Sequence, residues 1–335
     1  MRRPLYCLAI ILLAAVDTSA HHSRAYFYDS SRVIEAEGVI TRILWRHPHT
    51  RFWMRDDDGA EWALESTPPA TLIRHGLGPE ALAEGTRVRV AGPAARFEAN
   101  AMEVHNVLLP DGRELLIQTV ARPRWMQDTP ILQPSEFAEA DIAAAEASAD
   151  GLFRVWSRQY GQSFSLVPDG EFPLTQAAEA GREAYDPVAD NPIPGCTAKG
   201  MPMIMSNPLP FEFVDAGNEI HLRIEEYDLV RIIHMDPDVA AASPSILGHS
   251  VGRWEDDDLV VTTTQINFMH YGSAIALSAD VHILERFALS DDEQRLDYTL
   301  TVTDPETFIG PLTARRHWVW MPGEAVKAWS CVETP

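Results

Sequence analysis

Lysine is nearly absent from this chain. Lys and Arg together account for 27 of the 335 residues, and all of these except Lys199 and Lys327 are arginines. A lysine nucleophile therefore has only two candidate positions. Asp and Glu number 49, which leaves a net charge of −22. Such an acidic surface repels phosphate groups, so the composition argues against a nucleic-acid partner and against binding to an anionic membrane surface.

Long apolar runs and the common cofactor motifs are also missing. No stretch approaches the roughly 18 consecutive apolar residues that indicate a membrane-spanning helix. The sequence contains no GxGxxG, P-loop, HExxH or paired CxxC motif. It therefore predicts no nucleotide cofactor and, after removal of the leader described next, no membrane span.

The first twenty residues have the pattern of a secretory signal peptide. Arg2 and Arg3 supply a positive start, and Leu5 to Val16 form an apolar run that is too short to span a bilayer. Small residues follow, ending at Ala20. The alternative is a buried N-terminal helix. We favour a signal peptide over residues 1–20, which predicts a periplasmic or secreted protein.

Only two cysteines, Cys196 and Cys331, remain once this leader is removed. An isolated pair in an oxidising compartment is best explained by one disulfide bond, although two buried free thiols are the alternative. The bond would tie the start of the second half of the chain to its end.

Residues 21–120 have the pattern of a small, OB-like Greek-key β-barrel. Two short strand-like stretches, 51–54 and 61–64, flank Asp56-Asp57-Asp58-Gly59, which is a hairpin signal. About five such strands and one short helix fit an OB-type barrel, and a small sandwich is the other possibility.

Residues 121–150 read as a linker with an Ala/Glu-rich helix from Glu136 to about Ala149. Residues 151–335 then show eight to ten strand-like segments separated by acidic or Pro-Gly turns, and the last predicted strand covers 326–332. This predicts a lipocalin-like antiparallel β-barrel, closed by the disulfide bond. The overall fold class is mainly β, and the oligomeric state is left open.

Four histidines near the start of the mature chain suggest a metal site. Cleavage after Ala20 would expose His21 and His22, and His47-Pro48-His49 lies close in sequence. Neutral imidazole is a good ligand for copper and zinc. The alternative is a solvated N-terminus with two surface histidines.

A second cluster suggests acid–base chemistry in the C-terminal barrel. His249 lies between two glycines in Gly248-His-Ser-Val-Gly-Arg-Trp-Glu255, and Arg253 of this motif could stabilise an anion. His234 and Glu226 lie on preceding strands and turns. The competing interpretation is a turn whose Arg and Trp pack the floor of the barrel.

Glu285 is the most notable carboxylate of this cluster. It alternates with Ile283 and Phe287 and therefore shares their apolar face. Burial there would raise its pKa and suit a proton-transfer role. Pairing with Arg286 or Arg316 would instead make it structural.

Two segments resemble uncharacterised families of exported bacterial proteins. His21-His22-Ser23 and Trp45-Arg46-His47-Pro48-His49 resemble a family whose mature chain begins near His-His-Ser and carries a Trp-x-Asn-Pro-His motif, with His47 in place of the usual Asn. The Gly-His-Ser-Val-Gly-Arg-Trp-Glu segment resembles a second family. Neither resemblance implies an activity.

These features lead to two functional hypotheses. The first is an exported two-domain binding protein that holds a small, mainly apolar ligand in the C-terminal barrel and copper or zinc at His21, His22, His47 and His49. The alternative is a periplasmic hydrolase, lyase or isomerase that uses His234, His249, Glu226 or Glu285, with Arg253 stabilising negative charge.

Overall fold

The protein is mainly β, as the sequence predicts, and contains two β-barrels. The computed structural model describes residues 27–47, 49–74, 77–118, 121–126, 137–159, 166–168, 170–186, 189–190, 192–193, 196–241, 243–272, 274–329 and 331. No helix in this described part of the chain combines the length and the apolar character needed to cross a membrane.

Seven strands form the smaller barrel and its extension. They are β1 (Tyr28–Leu44), β2 (Arg51–Asp56), β3 (Glu61–Glu65), β4 (Arg87–Ala95), β5 (Ala101–Glu103), β6 (Asn106–Leu108) and β7 (Glu114–Leu116). The predicted hairpin is present: β2 and β3 pair antiparallel, and Gly59 in the turn has a φ of 86°, which glycine adopts without strain.

The first five strands close into a ring. β1 is long enough to pair with β2 at one end and with β4 along the rest, and β3 pairs parallel with β5. The resulting order, β1-β2-β3-β5-β4 and back to β1, is that of an OB-type Greek-key barrel. Its core is formed by alternate residues of these strands, including Ile40, Phe52, Leu64, Val90 and Met102.

Two short helices and a linker helix accompany the small barrel. Helix α1 (Pro69–Arg74) and a 3₁₀ turn (Pro79–Leu82) lie between β3 and β4. The linker helix α2 (Glu139–Ser148) is shorter than the predicted one and buries none of its residues. Its alanines offer too little apolar bulk to pack against either barrel.

The larger barrel contains nine strands. They are β8 (Val155–Ser157), β9 (Phe211–Asp215), β10 (Glu219–Ile224), β11 (Leu229–His234), β12 (His249–Glu255), β13 (Asp258–Thr264), β16 (His282–Leu289), β17 (Arg295–Thr303) and β18 (Leu312–Trp320). Outside it lie the small pair β14 (His270–Tyr271) and β15 (Ile275–Ala276), and helix α3 (Gln176–Ala184).

Neighbouring strands of this barrel are antiparallel with one exception. β11 and β12 run parallel, because the long connection 235–248 returns the chain to the same end of the barrel before β12 begins. β8 pairs with both β18 and β9 and thereby closes the ring.

Large side chains fill the interior of this barrel. Trp156, Phe211, Phe213, Phe287 and Trp318 are at most 1% exposed. Their rings meet edge to face, with 4.6 Å between the centroids of Phe211 and Trp318 and 5.2 Å between those of Phe213 and Phe287. This is a packed aromatic core.

The end of the chain crosses back to the small barrel. Residues 321–329 and Cys331, which we call the C-terminal strap, were expected to include a final strand over 326–332. The only ladder contact seen among its described residues is a bridge between Cys331 and His47. The predicted disulfide bond joins Cys196 to Cys331, with 5.8 Å between the Cα atoms, and anchors the strap to the large barrel.

Candidate functional site

The four histidines predicted to bind metal fall into two groups. His21 and His22 lie outside the described residues. His47 and His49 both lie just before β2, and each ring contacts a different partner. Among the described residues, no group of three or more His, Cys, Asp or Glu side chains is arranged to hold a metal ion.

His47 is held by the C-terminal strap. Its ring packs at a tilt of 38° against Trp329, with 4.0 Å between centroids. Burial lowers the pKa of His47 to about 4, and the positive charges of Arg74 and His49 add to this effect. The imidazole is therefore neutral at pH 7.

His49 instead joins a polar cluster around Glu65. Its Nδ1 lies 2.8 Å from Oε1 of Glu65, and Nη2 of Arg51 donates to Oε2 of the same carboxylate at 2.9 Å. Glu65 is only 6% exposed, so these two partners balance a nearly buried charge.

The five residues predicted for acid–base chemistry do not share one cavity. His234 and His249 lie together, with 5.2 Å between ring centroids, but on the outer wall of the large barrel. Arg253 is also on the outer wall and pairs with Glu255. Glu226 lies in a turn after β10 and accepts from Nζ of Lys199 at 2.7 Å.

Glu285 points the opposite way, into the barrel. Nη1 of Arg231 donates to its Oε1 at 2.9 Å, and the hydroxyl of Tyr298 donates to the same oxygen at 2.8 Å. Ser250 and Thr263 accept the remaining hydrogen bonds of the guanidinium. Glu285 therefore belongs to a wholly buried polar cluster. Its partner is Arg231 rather than Arg286 or Arg316.

A cavity of about 390 Å³ lies between the two barrels. This volume is within the usual range for small-molecule sites, which occur preferentially at domain interfaces. Its apolar walls come from the linker, the β8–β9 connection and the region around the end of β18: Phe137, Pro208, Leu209, Pro210, Val319 and Met321.

Two residues that line the cavity carry hydroxyl groups. Thr71 comes from α1 of the small barrel and Ser157 from β8 of the large barrel. They are 7% and 4% exposed, and neither hydroxyl oxygen has a hydrogen-bond partner in the described structure. Both oxygens are shielded from solvent, so a ligand in the cavity would reach them only if these side chains rotated.

A charge network forms the polar edge of the cavity. Arg74 at the end of α1 donates to Glu225 of the large barrel and, through Nε at 3.0 Å, to Glu324 of the strap. The backbone N–H of Lys327 also donates to Glu225, at 2.9 Å. The network fixes the small barrel, the large barrel and the strap around the same opening.

Sequence reasoning missed this cavity. Thr71, Ser157 and Leu209 belong to three distant segments, and none lies in a recognisable motif. The only local signal is Pro208-Leu-Pro210, an apolar turn flanked by prolines, which by itself is compatible with ordinary core packing.

Comparison with known proteins gives one match. Residues 9–102 match a family described as a family of unknown function (DUF6152). The matched segment includes Trp45 and the His47-Pro48-His49 motif. No curated protein and no solved structure matches the chain.

Proposed function

We propose that this protein binds a small, mainly apolar molecule in the cavity between its two barrels. The supporting observation is an apolar cavity of about 390 Å³ that residues of both barrels line. Apolar walls favour an apolar ligand, and the polar side chains of Arg158 and Gln159, which also line the cavity, favour one that carries a hydrogen-bonding group.

This position differs from the interior of the large barrel, where the sequence places the ligand. Phe211, Phe213 and Trp318 occupy that interior and pack against one another. The cavity between the barrels also has apolar walls, but its space is open.

The binding proposal is tested with N-phenyl-1-naphthylamine, a neutral apolar fluorophore. Val319→Trp should fill the cavity and weaken binding of the probe by about tenfold or more. Val230→Trp is the matched control, because Val230 is 48% exposed on the outer wall of the same barrel. Equal affinities for the two variants would contradict the proposal. Mass spectrometry of protein from its native compartment then identifies the natural ligand.

The enzymatic alternative has weaker support. Its residues are divided between the outer wall (His234, His249, Arg253), the barrel interior (Glu285) and a turn (Glu226). General acid–base catalysis requires the acid and the base within hydrogen-bonding reach of one substrate. A binding role needs no such convergence.

We also propose that the chain is exported. The leader-like pattern of residues 1–20 supports this, as does the disulfide bond between Cys196 and Cys331, since such bonds persist in oxidising compartments. N-terminal sequencing of the mature protein should begin at His21. A chain that retains its first residues would contradict export by cleavage.

The second function that we propose is copper or zinc binding at the small barrel. Its support is the position of His47 and His49 on either side of one proline, together with the unpaired Nδ1 of His47. Protein purified without added chelator should carry copper or zinc by elemental analysis and lose it in His47→Ala/His49→Ala. Retention of metal by the double variant would contradict the proposal.

A further inference from the structure

The small barrel carries a second cavity, of about 400 Å³, on its outer surface. Four aromatic residues line it: Phe27, Tyr28, Trp53 and Phe97. Phe97 is 67% exposed, and its ring meets that of Phe27 edge to face with 6.3 Å between centroids. Exposed aromatic residues grouped around one groove are a common mark of a binding surface.

Small residues form the floor of this groove. Ala63, Ala95 and Ala101 line it and come from three adjacent strands, β3, β4 and β5. Ala63 alternates with Leu64, which points into the barrel core, so Ala63 and Glu65 face outward. The alanines leave room for a ligand to lie close to the sheet.

The groove occupies the part of the barrel where OB folds bind ligands. That region is the outer face of the second and third strands, together with the loops that follow the first and fourth strands. Trp53 lies on β2, Ala63 and Glu65 lie on β3, and Phe97 and Glu98 lie in the loop between β4 and β5.

The charges in the groove limit the ligand class. Glu65 is already balanced by Arg51 and His49, and Glu98 is exposed at the rim. An anionic ligand would be repelled by Glu98 and by the net charge of −22 on the whole chain. A cationic ligand would be repelled by Arg51. A purely apolar ligand would displace water from Glu65 and Arg51 without giving these groups new hydrogen bonds.

We propose that this groove binds a neutral carbohydrate chain. The C–H faces of sugar rings pack on aromatic rings such as Phe97 and Trp53. The guanidinium of Arg42 covers one face of Trp53, at 3.5 Å from the ring centroid, which leaves the opposite face for such a contact. Sugar hydroxyls both donate and accept hydrogen bonds, and they therefore suit a groove lined by the exposed carboxylate of Glu98 and the guanidinium of Arg51. This site is separate from the cavity between the barrels, and neither proposal depends on the other.

Isothermal titration calorimetry of the full mature chain with cellohexaose, maltohexaose and chitohexaose tests this proposal. At least one should bind, and Phe97→Ala and Trp53→Ala should each weaken binding by about tenfold or more. Trp254→Ala is the matched control, because Trp254 is 44% exposed on the large barrel, and it should leave the affinity unchanged.

Three results would overturn the proposal. One is the absence of measurable binding of all three hexasaccharides at millimolar concentration. The second is an affinity that Phe97→Ala leaves unchanged; because Phe97 is exposed, this variant remains informative even where Trp53→Ala fails to fold. The third is tighter binding of the anionic hexagalacturonate or of a thymidine hexanucleotide than of the neutral sugars.

Discussion

Arg74 of the small barrel makes a two-pronged ion pair with Glu225 of the large barrel. Nη1 lies 2.9 Å from Oε1 and Nη2 lies 2.5 Å from Oε2. Both side chains are largely shielded from solvent, at 12% and 1% exposure. With Glu324 as a third member, this contact joins the two barrels and the strap at the edge of the proposed binding cavity.

Removal of Arg74 should therefore destabilise the protein strongly. Arg74→Ala leaves two buried carboxylates, Glu225 and Glu324, without their common partner, which should lower the free energy of unfolding by about 3–5 kcal/mol. Arg113→Ala is the matched control, since Arg113 pairs with Asp111 at the exposed surface, and it should cost less than about 1 kcal/mol. Urea unfolding measures both. A cost for Arg74→Ala as small as that of the control would show that the network contributes little.

The sequence predicts local features of this fold well. The β2–β3 hairpin follows from strand-like stretches and turn residues, which act over a few positions. The C-terminal strap was wrongly expected to contain a strand. Its alternation resembles that of a strand, but its backbone groups bond to Glu225 and Asp228 side chains instead of to a neighbouring strand.

The candidate site could not be predicted in the same way. Arg74 and Glu225 are 151 positions apart, and no local pattern relates them. The motif around His249 suggests acid–base chemistry because two glycines frame a histidine beside Arg253. Here Gly248 has a φ of 72°, and Ser250 bonds to Arg231 inside the barrel, so both residues have structural roles.

The buried cluster inside the large barrel should stabilise the fold only as a complete set. Glu285→Ala leaves the guanidinium of Arg231 buried and unpaired, which should lower the free energy of unfolding by about 3–5 kcal/mol. Arg231→Met/Glu285→Leu/Tyr298→Phe removes the charges and the hydroxyl together and should recover most of this loss. Chemical denaturation measures both, and a triple variant less stable than Glu285→Ala would contradict this account.

The histidine pair on the outer wall should make stability depend on pH. Burial, and then the neighbouring charge of His234, lower the pKa of His249 below its ordinary value of 6.5. Because the folded-state pKa is lowered, protonation favours the unfolded chain. The contribution of neutral His249 to the free energy of unfolding is complete above pH 6.5 and is lost as the pH falls below that value.

His249→Gln should therefore reduce the fall in the urea midpoint between pH 7.5 and pH 5.5. Glu219, which lies 3.2 Å from Nδ1 of His234, remains in place in this variant. His282→Gln is the control, because His282 is exposed on β16 of the same barrel. The same fall in the wild type and in His249→Gln would show that the pair does not contribute to the pH dependence.

Gly252 should resist replacement for steric reasons. A Cβ atom at this position would lie 2.7 Å from Cγ2 of Ile233 and 2.8 Å from Sδ of Met235, closer than van der Waals contact permits. Gly252→Ala should therefore lower the free energy of unfolding by about 1–3 kcal/mol, as overpacking usually does. Gly310→Ala is the matched control, since a Cβ there meets nothing within 4 Å. It should leave the thermal midpoint unchanged or slightly raised, because alanine reduces the freedom of the unfolded chain. An equal loss of stability in both variants would point to backbone effects common to glycine replacement. The close approach of β11 to β12 would then not explain the glycine at position 252.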